Sequence, residues 1–263
     1  MRTALTIAGS DSSGGAGVQA DLSTFAAHGV FGLSAITAVT AQNSLGIAAW
    51  QAIPADLVTA QIEAVAQDPG VGAVKTGMLP NAAIVEAVAA AVVELDLPNL
   101  VVDPVMASTS GNRLADDEAL AAMRTELLKR AEVVTPNIPE AEALTGQPIR
   151  SVNDMRTAAR RIASFGARVV VVKGGHLDGD EVVDVVCTVD REFELHGPRV
   201  QTRHTHGTGC TFAAAIAARL ARGDAVEEAV REARRYLEGA IRHAPGLGRG
   251  HGPLGHFWAG ILK

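Results

Sequence analysis

Aromatic residues are scarce in this chain of 263 residues: phenylalanine, tryptophan and tyrosine together make up 3%. Hydrophobic residues nevertheless reach 48%, so a large core must be built from alanine, valine, leucine and isoleucine. Cysteine is equally sparse. Cys187 and Cys210 are the two present; they give no disulfide framework and no Cys-x-x-Cys pair, which points to a reducing compartment. There is no basic excess either. The 23 Lys+Arg against 29 Asp+Glu leave a formal charge of −6, the wrong footprint for a nucleic-acid partner. The N-terminus shows no charged region followed by a long apolar run and a cleavage site. Apolar runs elsewhere fall short of a membrane span, and the alanine-rich ones are broken by Glu or Arg. The expectation is a soluble, cytoplasmic protein without nucleic-acid or membrane partners.

What the chain has in quantity is alternation. Short β-branched apolar runs at Leu5–Ala8, Ser34–Thr40, Ala73–Thr76, Leu100–Val102, Val133–Thr135 and Val169–Lys173 are predicted strands. Between them, helical spacing marks Gln19–His28, Ala55–Gln67, Ala82–Leu95, Asp117–Lys129 and Asn153–Phe165. Strands apolar on both faces, alternating with helices, predict an α/β fold with a parallel sheet covered on both sides. Glu181–Val200 breaks the rhythm: successive strand-like runs turn at Asp190-Arg191, an antiparallel excursion at one sheet edge. No linker or repeat divides the chain, which reads as one domain over 1–263. In such sheets function gathers where strands end and helices begin.

Two glycine loops occupy such places. GSDSSGGAG, Gly9 to Gly17, follows the first strand. Gly15-x-Gly17-x-x-Ala20 passes as a loose dinucleotide fingerprint, but the second strand ends in Thr40-Ala41-Gln42-Asn43, without the acidic residue that holds a ribose. A loop wrapping a small substrate, or a plain packing turn, are the other readings. The second loop, His204-Thr205-His206-Gly207-Thr208-Gly209-Cys210, runs into an alanine-rich helical segment. Backbone N–H groups converging at a helix start attract a phosphoryl group. A thiol there is expected to have a lowered pKa, so Cys210 is either a base for an attacking hydroxyl or a small buried cysteine.

Further candidates sit at other strand ends. Asn137 and Glu140, in TPNIPE, are three apart on one helical face, placed to hold magnesium or simply to cap the helix. Asp103 in VVDPVM is a second carboxylate or a turn residue before Pro104, and Lys173 is a phosphate-neutralising or structural lysine. His204, His206, His251 and His256 lack the paired spacing of a zinc site and read as loop or core histidines.

Taken in order, AGSDSSGGAGVQADL, TAVTAQNSLG, KTGML, VVDPVM, TPNIPEAEAL, VVKGGH, HTHGTGCT and GHGPLGHFW resemble the hydroxymethylpyrimidine/phosphomethylpyrimidine kinases of thiamine biosynthesis, in the ribokinase-like superfamily. The resemblance runs from about Thr3 to Trp258. It implies a three-layer αβα sandwich with a mostly parallel sheet, a homodimer, and two phosphorylations of 4-amino-5-hydroxymethyl-2-methylpyrimidine by ATP and magnesium. It also assigns roles. Gln42 would read the pyrimidine edge, one amide face donating and the other accepting. Ala16, Asp21, Met78 and Val105 would line the substrate pocket. Asp103 and Glu140 would stand near metal and phosphates, Lys173 and Asn137 would contact phosphates or nucleotide, Gly207, Thr208 and Gly209 would form the anion hole, and Cys210 would be the catalytic base.

Two departures accompany the resemblance. Thr109 and Asn112 stand where Lys and Asp are expected, and His204 where Asn is commoner. The rival activity is a pyridoxine or pyridoxal kinase on the same fold. A silent metabolite-binding protein and a nicotinamide oxidoreductase are more distant rivals.

Overall fold

In the computed structural model, which describes residues 1–108, 111 and 113–260, all the named strands lie in one nine-stranded sheet ordered β3-β2-β1-β4-β5-β6-β7-β8-β9. Its centre comprises β1 (Thr3–Asp11), β2 (Phe31–Asn43), β4 (Val74–Thr76), β5 (Leu100–Val102), β6 (Val133–Val134) and β7 (Val169–Val172), neighbours pairing in parallel. Antiparallel strands finish both edges: β3 (Gly46–Ala52) against β2, and β8 (Glu181–Cys187) and β9 (Glu192–Pro198) beyond β7. The excursion expected near residues 181–200 is therefore present. The β2–β3 hairpin has no counterpart in the sequence reading. It holds Ala41 and Gln42, at the expected end of the second strand, in paired strand.

Strand side chains alternate between faces, and each face carries its own apolar layer. Leu5, Ile7, Val102, Val134, Val170 and Val172 pack with α2 (Ala55–Gln67), α3 (Ala82–Glu94), α4 (Asp117–Ala122), α5 (Ile138–Thr145) and α6 (Val152–Ala163). Ala4, Val101, Val133, Val169 and Val171 pack with α1 (Gly17–Ala27), α7 (Thr208–Arg222) and α8 (Val226–Arg242). The result is the expected three-layer αβα sandwich. The segment read as one helix over Asp117–Lys129 keeps its span but changes winding, passing from α4 into a π turn at Met123–Leu127 and a 3-10 turn at Leu128–Arg130.

Alanine does the work that aromatics do not. Ala213, Ala214, Ala215, Ala217 and Ala218 of α7 are fully buried, so this helix lies close on the sheet and its first turn reaches the strand ends. The sheet order reverses at β1, with β2 on one side and β4 on the other. Crevices at the carboxyl ends of strands flanking such a reversal are where ligands bind in open α/β sheets. The closing segment ties down the start of α7: Thr211 Oγ1 lies 3.1 Å from His256 Nε2, and the Tyr236 hydroxyl donates to the His256 carbonyl at 2.6 Å.

Candidate active site

Both glycine loops open onto one cleft of about 710 Å³ above the carboxyl ends of the central strands. They touch backbone to backbone. Gly207 caps α7 with φ of 84°, and a Cβ there would come within 1.9 Å of the Gly15 carbonyl oxygen. No residue with a side chain fits that position. The first-turn amides of Gly209 and Cys210 have no carbonyl one turn back to bond, and both residues line the cleft.

Charged side chains converge beside this helix start. Lys173 follows β7, its Nζ 3.0 Å from Asp103 Oδ1, which also accepts from Thr135 Oγ1 at 3.2 Å. Asp184 holds the adjoining turn, taking the Gly174 amide at 2.8 Å and Arg234 Nε at 2.7 Å. Asn137 and Glu140 form a reciprocal capping box at the start of α5: the Glu140 amide donates to Asn137 Oδ1 at 2.9 Å, the Asn137 amide to Glu140 Oε2 at 2.7 Å. Capping and lining the cleft are thus combined rather than exclusive. Burial pushes the Glu140 carboxyl up to about 7, against the pull of the Lys173 ammonium and with Asp103 adding to the rise. Burial works against the Lys173 ammonium, but Asp103 and Glu140 hold it above the ordinary lysine value. A cation arriving here would relieve both carboxylates.

Gly209 is packed against this cluster. A Cβ at 209 would stand 3.2 Å from Lys173 Nζ and 3.4 Å from Asp103 Oδ2. Gly209→Ala is therefore expected to lower kcat/KM about 100-fold or more, the scale of losing one anion-stabilising donor. Alanine is also the better helix former, so the melting temperature should hold or rise. Turnover within about threefold of the parent would show that the anion does not sit against this turn.

The other end of the cleft is apolar with one amide. Met78, after β4, and Ala38 and Leu114 form a small buried cluster, with Ile47 and Val105 packed on it. Ala16, Gln42, Ile47, Met78, Val105 and Leu114 all line the cleft. Gln42 enters from β2, one amide end 3.1 Å from Thr40 Oγ1 and the other 3.3 Å from His206 Nε2.

Two expectations change. Asp21 does not line the cleft: it is fully buried beneath it on α1, its Oδ2 2.8 Å from Lys75 Nζ and accepting from Thr6 Oγ1 at 2.6 Å. The Cys210 thiol is not lowered. Burial pushes it up to about 11, outweighing the pull of Lys75 and the Gly17 amide, while Asp21 and Asp103 add to the rise. His206 is the buried loop histidine expected, and it also lines the cleft and meets Asp11. His204 is not among the lining residues; its ring packs against Gly252. Thr109 and Asn112 lie outside the described residues. Lys75, Asp184, Asp11 and His206 carried no local signal that singles them out.

Comparisons with known proteins agree with this geometry. The profile of the family described as phosphomethylpyrimidine kinase matches residues 11–255. The hydroxymethylpyrimidine/phosphomethylpyrimidine kinase of Bacillus subtilis is 46% identical over 255 residues, covering 97% of this chain and 94% of that protein. The enzyme of the same name from Streptomyces coelicolor is 50% identical over 256 residues, with 97% and 94% covered. An ADP complex of Bacillus subtilis pyridoxal kinase superposes with a TM-score of 0.93 at 40% identity, over 100% of both chains. With family profile, full-length relatives and fold in accord, the chain belongs to the phosphomethylpyrimidine kinase family and has the ribokinase-like fold.

Proposed function

We propose that this protein transfers the γ-phosphoryl group of ATP to the hydroxymethyl group of 4-amino-5-hydroxymethyl-2-methylpyrimidine, then to the resulting monophosphate, giving the diphosphate used in thiamine biosynthesis. The carrying observation is one cleft with the glycine-rich start of α7 at one end and an apolar, amide-tipped recess at the other.

The aromatic ring fits the recess of Ala16, Met78 and Val105, with the Gln42 amide on the aminopyrimidine edge. The γ-phosphate fits over Gly207, Thr208, Gly209 and Cys210, where amides face its equatorial oxygens. Lys173 neutralises those oxygens, and Asn137 faces the phosphate or nucleotide side. Asp103 and Glu140 suit magnesium by chemistry: hard oxygen donors, few in number, leaving positions for phosphates and water. Bound there, magnesium would screen charge on the transferring group.

Cys210 Sγ stands beside the position of the attacking hydroxyl and accepts its proton in the first phosphorylation. In the second the nucleophile is already an anionic phosphate, and the base matters less. The reading includes one domain spanning 1–263 and a cytoplasmic homodimer. Exposed Val39 and Trp50 on the β2–β3 edge offer apolar surface for a second copy, which sedimentation of the purified protein would test.

Pyridoxal kinase is the second reading, favoured by the superposition on such enzymes. Product formation with ATP and magnesium, offering the free pyrimidine, its monophosphate and pyridoxal separately, decides between them. Turnover of both pyrimidines is the expected result. Turnover of pyridoxal alone would overturn it.

A further inference from the structure

Asp11 ends β1 beneath the first glycine loop, 3% exposed. Its Oδ1 accepts the Ser13 amide and hydroxyl, each at 2.8 Å, and its Oδ2 accepts the Ala16 amide at 2.9 Å. Oδ2 also lies 2.8 Å from Nε2 of His206, itself 6% exposed. Burial disfavours the carboxylate, but the bonds from His206 and Ser13 hold it below its ordinary value, so it is ionised and only accepts. Two bare lone pairs would not approach to 2.8 Å, so the shared proton is on His206 Nε2.

That proton decides the orientation of Gln42. One end of the Gln42 amide is 3.3 Å from the same Nε2. With nitrogen at that end, two N–H donors meet. A half-turn of the amide places oxygen there, as bonding logic requires when the two ends are otherwise alike. Nitrogen then faces Thr40 Oγ1, 3.1 Å away. Thr40 can accept, because its own proton goes to the Ser10 carbonyl at 3.0 Å. Every bond in the chain now runs one way: Gln42 NH₂ to Thr40, Thr40 to Ser10, and the single His206 Nε2–H shared between Asp11 at 2.8 Å and, as the longer arm, the Gln42 carbonyl at 3.3 Å. The ring is held as well. A Cβ on Gly15 would come within 2.5 Å of His206 Cδ2, and the His206 amide donates to the Gly252 carbonyl at 3.2 Å.

We propose that Asp11 and His206 are a positioning pair that locks the Gln42 amide in one orientation, and that this lock makes the cleft discriminate a 4-amino from a 4-oxo pyrimidine. The proposal rests on the reading of Gln42 as the residue that meets the ring. A locked amide leaves one lone pair and one N–H outward, in fixed order. A 4-amino group beside a bare N3 offers donor then acceptor. A 4-oxo group beside N3–H offers acceptor then donor, so in the same pose donors meet donors. Unpaired polar groups in a closed site are the strongest source of such discrimination. A freely turning amide would accept either edge.

The test compares kcat and KM for 4-amino-5-hydroxymethyl-2-methylpyrimidine and its 4-oxo analogue in the parent, His206→Phe and His206→Gln. The parent should prefer the amino ring about 100-fold or more in kcat/KM. His206→Phe should raise KM for the amino ring about 10-fold and shrink the preference to within about 10-fold, with kcat and the KM for ATP within about threefold. His206→Gln, whose amide nitrogen falls where Nε2 was, should restore most of the preference. A fall in kcat with preference intact, or a Gln variant no better than Phe, would overturn the proposal. Nitrogen-15 imidazole spectra of the unliganded parent supply a reading free of substrate: a proton on Nε2 is expected, and a bare Nε2 overturns the pair. If neither ring is phosphorylated, the assigned activity fails, while the spectra still judge the lock.

Discussion

Lys75→Met is expected to lower the unfolding free energy by about 3–5 kcal/mol in urea titration, the range for breaking a buried ion pair from one side. Lys75 and Asp21 are both fully buried, 2.8 Å apart. Burial works against the Lys75 ammonium, but Asp21, Cys210 and Asp103 together hold it above the ordinary lysine range. Removing the amine leaves Asp21 with only the Thr6 hydroxyl on Oδ2, since Oδ1 has no hydrogen-bond partner among the described residues. The double variant Asp21→Leu with Lys75→Met removes both charges and should recover at least half of the loss. Recovery of the fold should not restore the first phosphorylation. Lys75 lowers the Cys210 thiol by more than Asp21 raises it, so losing both still leaves the thiolate scarcer. A single-variant cost under about 1 kcal/mol would mean that water or relaxation already compensates Asp21.

This pair also marks where the sequence stops being informative. Asp21 stands inside AGSDSSGGAGVQADL and looks like a pocket residue because its neighbours are. Its burial depends on Lys75, 54 residues away, and one chain shows no sign of that pairing. The strands of the central sheet were readable because each is apolar on both faces. The β3 strand was not: GIAAWQA has one β-branched residue and is mostly exposed on an outer edge, so neither composition nor alternation marks it. The strand ends and helix starts that carry Asp103, Asn137, Glu140, Lys173 and Cys210 were legible because punctuation by Gly and Pro survives in the sequence. His206 is the buried loop histidine expected, but its place in the cleft was hidden for the same reason as the burial of Asp21. Its partner Asp11 is 195 residues distant, and only the abutting glycine loops bring them together. For Cys210 a local rule met a tertiary effect: the helix start favours thiolate, while burial beside Asp21 and Asp103 disfavours it more.

That reversal sets the strongest expectation for catalysis. With the thiol near 11 in the unliganded chain, the thiolate at pH 7 is about one part in 10⁴. If Cys210 takes the proton, kcat/KM for the first phosphorylation should climb roughly tenfold per pH unit from 7 upward, because the deprotonated form gains population as pH rises toward the thiol's value. Cys210→Ala should abolish that climb and lower the rate at pH 8 by about 100-fold or more, within the usual range for a general base. The second phosphorylation should fall less than about tenfold in the same variant and stay flat above pH 7, since its phosphate nucleophile, with a second pKa near 6, is already ionised. A loose transition state is compatible with so scarce a base, as the hydroxyl becomes acidic only when its bond to phosphorus has begun to form. Equal losses in both steps, with a flat parent profile in the first, would assign Cys210 to positioning the γ-phosphate over Gly207, Thr208 and Gly209. The proton would then leave through the phosphate itself.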